Sequence, residues 1–182
     1  MRVLGIDPGS QATGYGIVER HGQRVVHVAH GTLRPPRGAA LAERLAALQA
    51  GLARAIATHA PDVAAVERVF AGRSLRSALV LGHARGAALA AAAAAGLPVL
   101  EYAPSEIKQA VAGTGAAEKR QVQAMVRRLL DLADAPAVDA ADALAAALCH
   151  AHRGPLAGLA SAFGRRRARA PAPSRLVVRR AR

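Results

Sequence analysis

Four carboxylates stand where a folded chain could gather them. Asp7 closes a short apolar stretch and opens the turn Asp7-Pro8-Gly9-Ser10, while Glu67 follows the apolar run Val63-Ala64-Ala65-Val66. Asp139 and Asp142 are three residues apart at the start of a helical pattern, so both project from one face of its first turn. In open α/β sheets, ligands collect at strand ends and helix N-termini, where these groups could converge. Four acids sharing a pocket repel one another and take up protons unless a counter-charge is present. Two Mg²⁺ ions supply that charge, and oxygen-only ligands favour Mg²⁺ or Mn²⁺ over Zn²⁺. Two such ions about 3.5–4 Å apart can activate a water and stabilise the leaving oxygen of a phosphodiester. Each acid also has a simpler use. Asp7 alone is accounted for by its turn, where a carboxylate accepts backbone N–H groups. Asp139 and Asp142 can cap and favour a helix start. Glu67 is harder to explain without a cationic partner.

Two basic residues stand apart. Lys108 and Lys119 are the only lysines among 25 Lys plus Arg. A chain that prefers Arg so strongly points to a need for an ammonium at those two places. Lys119 begins a helix, a poor position for its dipole that makes more sense if the ammonium meets a phosphate. Phe70, one of two phenylalanines, lies just beyond the strand that carries Glu67. There it either packs in the core or stacks on a base. Arg73, Arg76 and Arg120 are placed to track a phosphate backbone, or simply to be solvated.

The elements that must position these residues follow from periodicity and turn signals. Three strands are expected first, Arg2–Asp7, Gly14–Arg20 and Arg24–Leu33, the last two joined by His21-Gly22-Gln23. Leu41, Leu45, Leu48, Leu52 and Ile56 form the apolar stripe of a helix that Pro61 closes. Asp62–Glu67 reads as a buried strand, about 75–95 as a helix rich in small residues, and Val99–Tyr102 as a further strand. Pro104 suits a helix start and Gly113 its end. Glu118–Leu132 and Asp139–His152 complete the helices, the last stopped by Gly154-Pro155. The order β-β-β-α-β-α-β-α-α-α predicts an α/β fold, a mixed sheet with helices packed on it, over residues 1–153.

The formal charge is +13 over 182 residues, which favours a polyanionic partner. All twelve acids precede residue 154, and the stretch 154–182 carries eight arginines. It reads as a disordered, Arg-rich tail that adds salt-sensitive DNA affinity. Cys149 is the single cysteine, fitting a reducing compartment. The apolar run from Ala87 to Leu100 is too short to span a bilayer, and Met1-Arg2 leads directly into a strand, so a soluble, cytoplasmic protein without a membrane partner is expected.

The residues also resemble a known family. Gly5-Ile6-Asp7-Pro8-Gly9-Ser10 with Thr13-Gly14-Tyr15-Gly16 is similar to the opening of RuvC-type Holliday-junction resolvases. The likeness continues through Val66-Glu67-Arg68-Val69-Phe70, Ala84-Arg85-Gly86, Tyr102-Ala103-Pro104, Lys108-Gln109-Ala110-Val111, Glu118-Lys119 and Asp139-Ala140-Ala141-Asp142-Ala143-Leu144-Ala145. These segments are collinear over about residues 3–152. The resemblance implies an RNase H-like fold, a homodimer, and paired metal-dependent incisions in four-way junction DNA during recombination and repair. It makes Asp7, Glu67, Asp139 and Asp142 the metal-binding catalytic acids, places Lys108 and Lys119 near the scissile phosphate, and gives Phe70 a role as a wedge in the junction. It also implies work with a RuvA–RuvB branch-migration complex. Ala71-Gly72-Arg73-Ser74 and His83 depart from the family pattern. Competing readings are a nuclease for RNA–DNA hybrids, an actin-like nucleotide-binding protein and a purely structural DNA-binding protein.

Overall fold

The computed structural model describes residues 1–9, 11–68 and 75–153, with the Arg76 side chain excepted. Phe70, Arg73, the side chain of Arg76 and the Arg-rich tail lie outside what it describes.

The strands are β1 (Arg2–Asp7), β2 (Thr13–His21), β3 (Arg24–Leu33), β4 (Val63–Glu67) and β5 (Val99–Tyr102). The helices are α1 (Leu41–His59), α2 (Leu75–Ala94), α3 (Pro104–Ala112), α4 (Lys119–Leu129) and α5 (Val138–Arg153). The order and type of every element agree with the expected series. The strands form one sheet in the order β3-β2-β1-β4-β5, antiparallel across β3, β2 and β1 and parallel from β1 to β4 and β5. β1 is therefore the switch strand, hydrogen-bonded to an antiparallel neighbour on one side and a parallel one on the other.

Strand alternation divides the core in two. Leu4, Ile6, Ile17, Ala64 and Val66 face α1 and α2, whose Leu52, Ile56, Ala88, Ala91 and Ala92 complete that layer. Val3, Val18, Val63, Ala65 and Tyr102 face the opposite way, against α3, α4 and α5. Asp7 shares parity with Val3, and Glu67 with Val63 and Ala65, so both acids end strands on the α5 face. β4 is buried on both faces, which is why it reads as a continuous apolar run.

α5 lies nearly flat on β1 and β2, and every residue from Ala143 to Ala151 is buried. Its alanines make this possible, and so do two strand glycines. A Cβ at Gly5 would run into the carbonyl oxygen of Ala143, and one at Gly14 into that of Asp139. Small residues on both partners bring the helix backbone down onto the sheet and fix its first turn above the end of β1.

Several boundaries differ from expectation by a residue, with β2 at Thr13–His21, β4 from Val63, α4 from Lys119 and α5 at Val138–Arg153, and the end of α4 differs by more. α4 ends at Leu129 because Asp131 adopts φ 50°, and Leu132 N–H donates to the Arg127 carbonyl while Asp131 N–H donates to that of Arg128. This is a Schellman closure with Asp where Gly is usual, so the composition hid it. Leu41, placed on the apolar stripe of α1, is 40% exposed at the helix start. The Ser77–Ala94 stretch of α2 is long and apolar enough to cross a membrane by composition alone; here it packs on α1, with Ala84, Ala88, Ala91 and Ala92 buried.

Candidate active site

Strand register assembles the site. β1 and β4 pair in parallel with Val3 opposite Val63 and Ile6 opposite Val66, so the next step along each strand sets Asp7 beside Glu67. Across the other ladder Asp7 pairs with Gly14, the glycine on which the Asp139 carbonyl rests. Asp142 follows within the same stretch of α5. Acids from two strands and one helix thus share one edge of the sheet, and all four are half-buried.

Their proton affinities report the crowding. Burial, then the charges of Asp142, Glu67 and Asp139, push Asp7 up from 3.8 to about 7, against the opposing pull of Lys119. Glu67 is raised as well, first by burial and then by Asp142, while Lys119 and Lys108 oppose the shift. Lys119 Nζ lies 2.7 Å from Asp142 Oδ2, and this contact, with the fields of Asp7 and Asp139, holds the ammonium above its ordinary value. The placement of a lysine at the first residue of α4 has its explanation here: the acids outweigh the unfavourable helix dipole. Lys108, on α3, opposes the shift of Glu67 and is not among the charges named for Asp7. Arg120 is exposed and is not among the charges felt by Asp7 or Glu67.

Sequence reasoning missed Arg34. Its guanidinium stands 3.9 Å from Asp139 Oδ2, reaching the site from just beyond β3. No periodicity could reveal it; the signal was only that Arg follows a strand end on the edge to which Asp7 belongs. It also missed the clamp behind Glu67. Arg68 N–H donates to the Tyr102 carbonyl, and the Arg68 guanidinium pairs at 2.9 Å with Glu106, which Arg153 also holds at 2.8 Å. Helices α3 and α5 are thereby tied to the residue next to Glu67.

Among the described residues, no three His, Cys, Asp or Glu groups stand close enough as placed to ligate one ion. The four acids form a shared electrostatic neighbourhood, not a closed coordination shell. The neighbourhood still fits hard divalent cations. It offers oxygen donors only, and two of its acids are raised by burial and mutual repulsion, a deficit of positive charge that such ions relieve.

A five-stranded mixed sheet with acids at the ends of its switch strand and parallel neighbour, covered by a small-residue helix, defines an RNase H-like resolvase fold. Solved structures agree. RuvC of Thermus thermophilus in complex with a Holliday junction substrate superposes with a TM-score of 0.79 at 37% identity, over 84% of this chain and 94% of that one. A yeast mitochondrial Holliday junction resolvase, at 15% identity and a TM-score of 0.59, shares the fold. The family model for crossover junction endodeoxyribonuclease RuvC matches residues 3–150, and the chain belongs to that family. The RuvC of Halorhodospira halophila is 59% identical over 166 residues, covering 91% of this chain and 99% of its relative. That of Trichlorobacter lovleyi is 54% identical over 150 residues, covering 82% and 84%.

Proposed function

We propose that this protein resolves four-way DNA junctions by metal-dependent phosphodiester hydrolysis, in the cytoplasm, during recombination and repair. Asp7, Glu67, Asp139 and Asp142 hold the ions, two Mg²⁺ per subunit with Mn²⁺ able to substitute. Such ions, when bound, supply activation of a water and charge stabilisation of the leaving oxygen. The observation that carries this reading is the gathering of acids from β1, β4 and α5 at one end of the sheet, where burial first and then the charges of Asp142, Glu67 and Asp139 push Asp7 to about 7.

The chain's own residues supply the rest. Asp7 and Glu67, on adjacent parallel strands, form a rigid base, and the α5 acids close over it. Lys119, paired with Asp142, neutralises part of the acid charge and offers an ammonium to the approaching phosphate. Lys108 does the same from the Glu67 side. Phe70 wedges into the junction, and Arg73, Arg76 and Arg120 follow the backbone. Residues 1–153 form the nuclease domain, and the 154–182 tail adds salt-sensitive affinity.

Two symmetric cuts call for two subunits. Leu75 and Leu79 on α2 are 79% and 56% exposed, and a Cβ at Gly82 or Gly86 would meet open space. This apolar, small-residue surface suits a homodimer. A RuvA–RuvB branch-migration complex would deliver the junction.

The test is a labelled synthetic four-way junction incubated with purified protein, with and without Mg²⁺, beside linear duplex and RNA–DNA hybrid. Paired, Mg²⁺-dependent cuts in the junction alone are expected. Cleavage of the hybrid in preference to the junction would replace the proposal with a hybrid nuclease, and no incision of any substrate would remove the enzyme altogether.

A further inference from the structure

Beside the acids the surface opens into a groove of about 780 Å³, lined by Asp139, Arg34, Pro35, Pro36, Arg37 and Arg44. None of these arginines belongs to the motifs that define the acid site. Asp139 is the one acid among the groove's lining residues.

Topology explains why the groove adjoins the acids. Thr13 pairs with Leu33 at the start of β2 and the end of β3, and Asp7 pairs with Gly14. Arg34 therefore leaves the sheet on the edge where Asp7 ends β1, two strands away, roughly 10 Å at ordinary strand spacing. Arg34 joins the two places: it stands 3.9 Å from Asp139 Oδ2 while its side chain is 65% exposed. At that distance the ion pair is loose, and most of the five guanidinium donors remain for another acceptor.

The walls are stiff. Pro35 and Pro36 fix their own φ angles. Gly38 turns with φ 75°, and α1 begins at Leu41, so Arg44 sits in its first turn with N–H bonded to the Ala40 carbonyl. A groove carrying three guanidiniums on a stiff frame is suited to an extended polyanion. Arg reads phosphate oxygens through paired donors, and little side-chain order is lost when the backbone that bears it is already set.

We propose that this groove is a binding subsite for the backbone phosphates of the DNA strand flanking the cut, on the opposite side of the acids from Lys119. The inference rests on the nuclease reading above and extends it. The groove begins at Asp139 itself and runs away from Asp7, so it would take the phosphates that follow directly on the one at the acids. Arg34 is the bridge, shared between Asp139 and the nearest flanking phosphate.

The test uses the full chain carrying Asp7→Asn, expected to bind without cutting, and a fluorescent four-way junction titrated across a salt series in EDTA. Combining Arg34→Ala, Arg37→Ala and Arg44→Ala is expected to reduce the slope of log K against log salt by about 0.9 for each arginine that contacts a phosphate. Arg→Lys at the same three positions keeps the charge and is expected to restore the slope, which separates lost phosphate contacts from misfolding. An unchanged slope in the alanine variant overturns the subsite. So does a slope reduced equally by the lysine variant, since then charge is not what was removed. The nuclease reading fails separately, if the protein with native Asp7 does not cut the junction in Mg²⁺.

Discussion

Gly14 and Asp139 meet backbone to backbone, so closely that any Cβ at position 14 would overlap the Asp139 carbonyl oxygen. Gly14 is also the ladder partner of Asp7. One contact therefore sets how far the first turn of α5 stands above the end of β1. Gly14→Ala is expected to lift that turn, costing about 1–3 kcal/mol of stability by overpacking. A displacement of roughly 1 Å at a catalytic group costs on the order of 10²-fold in rate. Denaturant midpoints and junction cleavage check both. Near-normal cutting by Gly14→Ala would show that the helix position does not set the site.

The acids were legible because their positions follow from local rules. Asp7 and Glu67 end apolar strands, and Asp139 and Asp142 open a helix, so each could be assigned to a place before any contact was known. Their convergence depended on pairing β1 with β4, which the alternation of apolar strands and helices made the natural arrangement. What stayed hidden was long-range. Nothing in the pattern around Lys119 names Asp142, and nothing around Arg34 names Asp139. The residues alone leave Asp7 readable as a turn residue and the α5 pair as capping residues; the structure adds that Asp7 is raised by burial and then by the charges of Asp142, Glu67 and Asp139. α2 gave the weakest signal of its environment. Its alanines and glycines look alike whether they face α1 or open space, and only packing separates buried Ala88 from exposed Leu79.

Asp7 should make the metal-free protein less stable as pH rises. Its folded value of about 7 lies above the ordinary 3.8, so between those values the folded state binds more protons than the unfolded one. Stability then falls as pH climbs through that window, by at most about 4 kcal/mol before solvent screening reduces it. In EDTA, Asp7→Asn is expected to be more stable than the native chain at pH 8 and to lose most of this slope. Mg²⁺ should raise the melting temperature of the native chain more than that of the variant, while junction cleavage by the variant is abolished. Calorimetry at pH 5 and pH 8, with and without Mg²⁺, measures all of this. Identical slopes for the two proteins would remove Asp7 from the shared field.

His150 should act with the opposite sign. It is 4% exposed, its Nδ1 lies 2.6 Å from the Tyr102 hydroxyl, and burial lowers its proton affinity below the ordinary 6.5. The unfolded chain takes up the proton first, so stability is fully present above 6.5 and is lost as pH falls through the lower, folded value. The slope from one proton is about 1.4 kcal/mol per pH unit at most. Measured in an Asp7→Asn background, where the opposing slope from Asp7 is removed, His150→Gln is expected to flatten the loss of stability between pH 7 and pH 5. An unaltered curve would assign the acid sensitivity to another group.

Lys119 offers the sharpest separation of a chemical role from a structural one. Its ammonium is 60% exposed yet lies 2.7 Å from Asp142 and is the cation that holds Asp7 down. Removing it leaves Asp7 and Glu67 facing their acidic neighbours with less relief, so both should ionise at still higher pH. Lys119→Ala is therefore expected to cut the junction on the order of 10²-fold more slowly, as loss of one preorganised charge commonly does. The acid limb of its pH–rate profile should also move to higher pH. Junction affinity, dominated by many other phosphate contacts, should change little. Lys119→Arg keeps the charge but exchanges a compact ammonium for a planar fork, so it is expected to restore the pH profile more fully than the rate. A purely structural lysine would leave the profile where it is and lower stability instead. A Lys119→Ala profile coincident with the native one would thus place the residue outside the chemistry, whatever its rate.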